Sequence, residues 1–201
     1  MATTALSRQE RKTQTRAAII DAAASLFARE GIEATSLDRI AGTIGLTKGA
    51  VYSTFGSKEE LVEAVADSRS VLISPDPLFR RDLSLRDGLR MIAASFFALR
   101  PKLTREILLL DLELFLYAQR HARWGRTELR TMREARREAA EELAAAAAER
   151  GEALPMPAGE FFVALEALLL GLAREQFRDP GTLSDRTLER LIVALAGDDP
   201  R

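Results

Sequence analysis

Between Thr35 and Lys58 short polar side chains recur at spacings suited to holding a polyanion: Thr35, Ser36, Thr47, Lys48, Tyr52, Ser53 and Lys58, with Arg11 upstream. Their hydroxyl, ammonium and guanidinium groups are donors of the kind that bind phosphate oxygens and the acceptor edges of bases. They are not the parts of a catalytic centre. The chain has no cysteine and one histidine, His121, which removes thiol chemistry, the usual metal sites and histidine-dependent triads. Asp111 and Glu113 stand two apart, so on a helix they point to different sides and make a poor acid–base pair. No glycine-rich phosphate loop follows a strand. The expectation is therefore no enzyme, no cofactor and no metal.

Two short helices and a tight turn must position these donors. Ser36 can cap a first helix over 37–44, since its hydroxyl can accept a free amide of the first turn, and Asp38 then sits near the positive end of that helix. Gly45 falls just past the helix end, where the backbone turns left-handed and glycine does so without steric cost. Thr47 can cap a second helix through about Phe55, and Ser57-Lys58-Glu59-Glu60 is a capping box opening a third. Ile40, Ala41, Ile44, Leu46, Val51 and Phe55 fit the inward positions of a helix-turn-helix. Lys48, Gly49, Tyr52 and Ser53 are left outward on the second helix, a face with little bulk that suits the major groove. A polar helix face often meets only water. Here the glycine, the caps, the core spacing and the outward Lys and Tyr together favour DNA.

The segment 35–58 resembles the DNA-binding segment of the tetracycline-repressor (TetR/AcrR) family of bacterial regulators. Thr35, Ser36, Ile40, Ala41, Gly45, Leu46, Thr47, Gly49, Val51, Tyr52, Phe55, Lys58 and Leu61 all match the family pattern without a gap. Thr54 departs from it, where many members carry an aromatic residue or histidine. The resemblance covers about the first third of the chain. It implies double-stranded operator DNA as partner, a homodimer, a small-molecule effector, and most often a repressor. In the family a fourth helix links head to body, and its tilt sets the spacing of the two heads.

Charge is unevenly spread. Residues 1–58 hold eight Lys/Arg against five Asp/Glu, so the remainder is net negative in a chain of overall charge −1. A basic head on an acidic body fits a protein of which only the head meets phosphate. Arg8, Arg11, Lys12, Thr13 and Arg16 form a basic arm at the start of a helix over 8–30, whose apolar face is Ile19, Ala22, Ala23, Leu26 and Phe27. Residues 1–7 read as disordered. No secretory signal is evident, and the apolar run Phe161–Ala173 is short and interrupted by Glu166, so no membrane span and a cytoplasmic, nucleoid-associated protein are expected. Arginine outnumbers lysine 25 to 4, a hint of a GC-rich bacterial genome.

The whole chain reads as all-α, about nine helices, with a DNA-binding head at 1–57 and a ligand-binding and dimerisation body at 58–201. Helices are expected over 58–73, 84–99, 102–120, 124–150, 159–177 and 185–196, with Ser74-Pro75-Asp76-Pro77 the clearest break. Bulky apolar residues, among them Phe96, Leu112, Phe115, Trp124 and Phe162, could line an effector pocket, although such residues more often simply fill a core. Glu113 lies off the Leu108/Leu112/Phe115 face and reads as solvated. Ala164, Ala167, Leu168 and Gly171, with Leu188 and Ile192, form the candidate dimer surface. The competing function is a helical small-molecule-binding or interaction module without operator function. Such a module would have no reason to keep the outward polar face of residues 47–54.

Overall fold

The computed structural model describes residues 7–69, 74–99, 105–179 and 181–197. Within them the fold is all-α: α1 (Arg8–Glu30), α2 (Leu37–Thr43), α3 (Lys48–Thr54), α4 (Lys58–Arg69), α5 (Asp76–Phe79), α6 (Leu85–Leu99), α7 (Arg105–Arg120), α8 (Ala122–Arg150), α9 (Ala158–Arg178) and α10 (Asp185–Val193), followed by a 3₁₀ turn at Ala194–Ala196. The one helix beyond the expected nine is α5, a single turn inside the stretch expected only to break. Pro75 and Pro77 forbid a long helix there, but a proline in the first turn is compatible with a short one. The expected extensions of α4 through 70–73 and of α7 through 102–104 lie outside the described residues.

The chain divides into two compact units. The first holds residues 1–70 and 105–126, the second 71–104 and 127–201. The expected head–body boundary at 57/58 thus falls inside the first unit, because α4, α7 and the start of α8 cluster with the helix-turn-helix.

The first unit is built around α1. Ile19, Ala23, Leu26 and Phe27 are buried, and against them pack Ile32, Leu37, Ile40, Val51, Phe55, Leu61, Val62 and Val65. The core takes Leu110 and Tyr117 from α7, with Leu109, Leu114 and Trp124 half-buried around them. This reverses the expected orientation of α7. Its apolar residues occupy more than one face, and Leu112 and Phe115 are 41% and 59% exposed. Glu113, expected in solvent, is half-buried and accepts the Ile32 backbone N–H at 3.2 Å. That amide follows the end of α1 and has no carbonyl of its own helix to reach, so a carboxylate from another helix satisfies it. Ser7, expected in a disordered tail, caps α1: its hydroxyl accepts from the Glu10 amide, and the Glu10 carboxylate accepts from the Ser7 amide.

In the second unit Leu85, Leu89, Ile92 and Phe96 of α6 are buried with Leu78, Leu143, Ala146, Phe161, Phe162, Leu165, Leu188 and Ile192. Arg150, almost wholly buried, braces its loops by donating to the carbonyls of Leu78 and Arg80 and pairing with Glu152 at 2.8 Å. A side chain at Gly88 would put Cβ 2.8 Å from the Pro77 carbonyl oxygen, so α5 lies against α6 only because position 88 has none.

Candidate nucleic-acid interface

Local sequence builds the reading element from its ends. Ser36 accepts the Arg39 amide at 3.1 Å and Thr47 the Ala50 amide at 3.2 Å, so both short helices begin with a hydroxyl cap. Between them Gly45 takes φ +68°, and the Leu46 amide reaches back to the Ala41 carbonyl at 3.0 Å, closing the first helix in a Schellman-type turn. Ser57 accepts the Glu60 amide, but Glu60 returns its carboxylate to the Gly56 amide, one residue earlier than the expected box requires.

With Val51 and Phe55 anchored in the core, α3 turns Lys48, Gly49, Tyr52 and Ser53 outward, all exposed. Tyr52 is 45% exposed, with the Lys48 ammonium 5.6 Å from its ring centre. Lys48 also donates to Asp38 at 2.8 Å, and this hydrogen bond holds its ammonium above the ordinary lysine range. The pairing crosses the turn, ten residues apart, and the sequence reading assigned Asp38 only to the helix dipole. Both partners are exposed, where ion pairs are weak and exchange readily for another anion. A Cβ at Gly49 would meet nothing within 4 Å.

Around this element, Arg11 is exposed on the first turns of α1, and the Arg16 guanidinium lies 4.5 Å over the Phe55 ring, tying the basic arm to the end of α3. Arg39 pairs with Glu30 at 2.9 Å, which keeps the Glu30 carboxyl below its ordinary range. Lys58 is half-buried and donates to the Glu33 carbonyl at 3.1 Å. Ser36 remains exposed beyond its capping bond. Thr35 does not join the surface: it is 1% exposed and its hydroxyl donates to the Gly31 carbonyl at 2.8 Å. A buried hydroxyl with its proton committed to the backbone supports the α1–α2 connection and offers nothing to phosphate.

The expected pocket residues are not gathered into one unit. Leu112, Phe115 and Trp124 belong to the first, and Phe96 and Phe162, both buried, to the second. The second unit has an open cleft between α6 and α10, lined by Arg86, Arg90, Glu189, Arg190, Leu191 and Val193, and none of the expected residues lines it. Of the expected dimer residues, Ala167 and Gly171 are exposed, Ala164 and Leu168 half-buried, and Leu188 and Ile192 fully buried in their own chain. The last two complete the core and present no surface. The sequence reading missed the outward apolar row on α9: Val163, Leu170 and Phe177 recur every seven residues, a spacing present in the sequence.

Comparison with known proteins follows this division. Residues 19–65 match the sequence family described as "Bacterial regulatory proteins, tetR family". The regulator TtgR of Pseudomonas putida is 45% identical over 60 residues, which is 30% of this chain and 29% of that protein. The A-factor receptor protein of Streptomyces griseus is 36% identical over 95 residues, 47% of this chain and 33% of the receptor. The chain thus spans about a third or less of the length of these relatives. Solved structures extend the likeness to nearly the whole chain. A transcriptional regulator from Pseudomonas aeruginosa PAO1 superposes with a TM-score of 0.73 at 22% identity, covering 94% of each chain. NalD, the secondary repressor of the MexAB-OprM multidrug efflux pump in Pseudomonas aeruginosa, does so with a TM-score of 0.59 at 27% identity, covering 92% of this chain and 94% of its own.

Proposed function

We propose that this chain is a TetR-family transcriptional repressor, not an enzyme, that binds a palindromic operator as a homodimer, a reading supported by the match of residues 19–65 to that family's model and by the likeness to its members. A small, largely apolar effector releases it. One observation carries the DNA-binding part: α3 is anchored on one side by buried Val51 and the neighbouring Phe55, and exposes Lys48, Gly49, Tyr52 and Ser53 on the other.

The chemistry divides between position and reading. Ser36, Thr47, Tyr52, Lys58 and Arg11 contact phosphates, which set register without sequence information. Lys48 releases Asp38 and donates to guanine, with Ser53 beside it. Gly49 supports this assignment, since nothing inside the chain needs that position empty, whereas a base edge approached closely would. The exposed row Val163, Ala167, Leu170, Gly171 and Phe177 on α9 supports the dimer, because such a face is commonly covered by a second copy.

A gel-shift against DNA from upstream of the protein's own coding region, repeated across salt concentrations, tests the reading. The expected result is one retained fragment that survives competitor DNA and weakens steeply as salt rises. No specific shift at moderate salt would favour a helical binding module without operator function. Lys58→Ala should weaken binding to every sequence alike and lower the salt slope by about one phosphate contact. Tyr52→Phe separates the phenol hydroxyl from ring packing, and wild-type affinity in that variant removes the phosphate role of Tyr52.

A further inference from the structure

Glu33, on the connection between α1 and α2, is faced by Lys58, His121 and Arg120. Lys58 at the start of α4 donates to its carbonyl at 3.1 Å, and its carboxylate pairs with His121 at the corner between α7 and α8. The charge of Arg120 also reaches it, and the His121 hydrogen bond first, then neighbouring positive charge, holds the Glu33 carboxyl below its ordinary range. The corner is set firmly. The His121 ring stacks on buried Tyr117 with centres 4.0 Å apart, Trp124 meets Tyr117 edge-on at 5.4 Å, and a Cβ at Gly125 would lie 2.4 Å from the Ala118 carbonyl oxygen. All of these residues belong to the first compact unit.

Seven residues at this corner, 120–126, include Arg120, Arg123 and Arg126. Arg120 and Arg126 are exposed, and among the described residues no ion pair takes either side chain. Arg120 at the end of α7 is explained by the helix dipole alone. The first turn of α8 holds no acidic residue, the charge that the positive end of a helix favours. Glu33, already paired, and Glu59, whose charge reaches Tyr117, stand by the corner, and Glu128 follows Arg126 by two residues on α8.

We propose that the α7–α8 corner is a further phosphate-binding surface, continuous with the helix-turn-helix through Lys58 and Glu33, in which Arg120 and Arg126 hold the sugar–phosphate backbone of the duplex engaged by α3. This rests on the DNA-binding reading above. It lengthens the footprint beyond the helices of the reading head and adds sequence-independent affinity.

The test uses the full chain and a fixed 40-base-pair duplex, with affinity followed by fluorescence anisotropy over a series of salt concentrations. Arg120→Ala/Arg126→Ala is compared with wild type, with Lys58→Ala, and with Arg186→Ala on α10 as a control for net charge. Removing two phosphate contacts should lower the slope of log affinity against log salt by about 1.8, while Arg186→Ala leaves it unchanged. An unaltered slope in the double variant, with Lys58→Ala still lowering it, overturns this inference alone. An equal loss in Arg186→Ala also overturns it, since bulk charge then suffices. If wild type does not bind the duplex, the DNA-binding reading falls and this surface with it. Thermal melts of each variant confirm that slopes are compared between folded proteins.

Discussion

The two compact units differ in what surrounds their cores. In the first, α2, α3, α4 and α7 pack around α1 and the face around α3 is mainly polar, while Leu112, Phe115 and Leu116 of α7 stay exposed. The second leaves apolar surface outside, with Met132 on α8, Val163, Leu170 and Phe177 on α9 and Leu191 on α10 all exposed. An element that reads DNA gains from a rigid base under short polar side chains. The homodimer proposed above would cover the apolar row on α9. The tetR family model matches residues 19–65, within the first unit, while the likeness to solved structures covers nearly the whole chain as a fold.

The largest effect expected is in the first core. Phe27 is fully buried where α1 meets the surrounding helices, so Phe27→Ala should cost about 3–5 kcal/mol, read by chemical denaturation, and abolish DNA binding. A smaller loss would mean that α1 is less central than its burial indicates. Next comes Gly125→Ala, which forces a methyl against the Ala118 carbonyl and should cost about 1–3 kcal/mol by the same measurement. Gly45→Ala must adopt φ near +68° and should cost about 1–2 kcal/mol. Gly49→Ala should leave stability unchanged or slightly raised, because its methyl meets nothing within 4 Å among the described residues, yet weaken operator binding. Equal operator affinity for wild type and Gly49→Ala would remove the close approach of α3 to DNA.

On the second unit, Leu170→Glu should shift sedimentation from dimer to monomer while stability changes by no more than about 0.5 kcal/mol at this exposed position. A dimer that survives places the assembly face elsewhere. The smallest effect concerns pH. The Glu33 carboxyl is held below its ordinary value of 4.5 by the His121 hydrogen bond, then by neighbouring positive charge. A carboxyl lowered on folding adds stability above its unfolded value and loses it as pH falls through the folded value. The gap in melting temperature between wild type and Glu33→Gln should therefore be present at pH 6 and close in the acid range below 4.5.

The helix-turn-helix was legible because its determinants are local. Ser36, Thr47 and Gly45 act within a few residues of themselves, and Val51 and Phe55 are neighbours on one helix turn, so spacing alone predicted their roles. The same logic predicted the buried face of α1. It failed on α7, where Leu108 to Leu116 crowd several faces and periodicity cannot choose among them. Contacts far apart in sequence made that choice: the Ile32 amide draws in Glu113, and Tyr117 joins the core beneath His121.

By itself, then, the sequence determined the all-α class, the helix-turn-helix and its caps, and the absence of thiol chemistry, since each follows from residue type and short spacing. Tertiary structure alone decided that α7 and the first turns of α8 cluster with the helix-turn-helix, that Thr35 faces inward, and that Leu188 and Ile192 fill a core. The physical reason is common to all three. Whether an apolar or hydroxyl side chain is buried depends on what the rest of the chain brings against it, and unpaired amides such as that of Ile32 are satisfied by whichever distant group arrives.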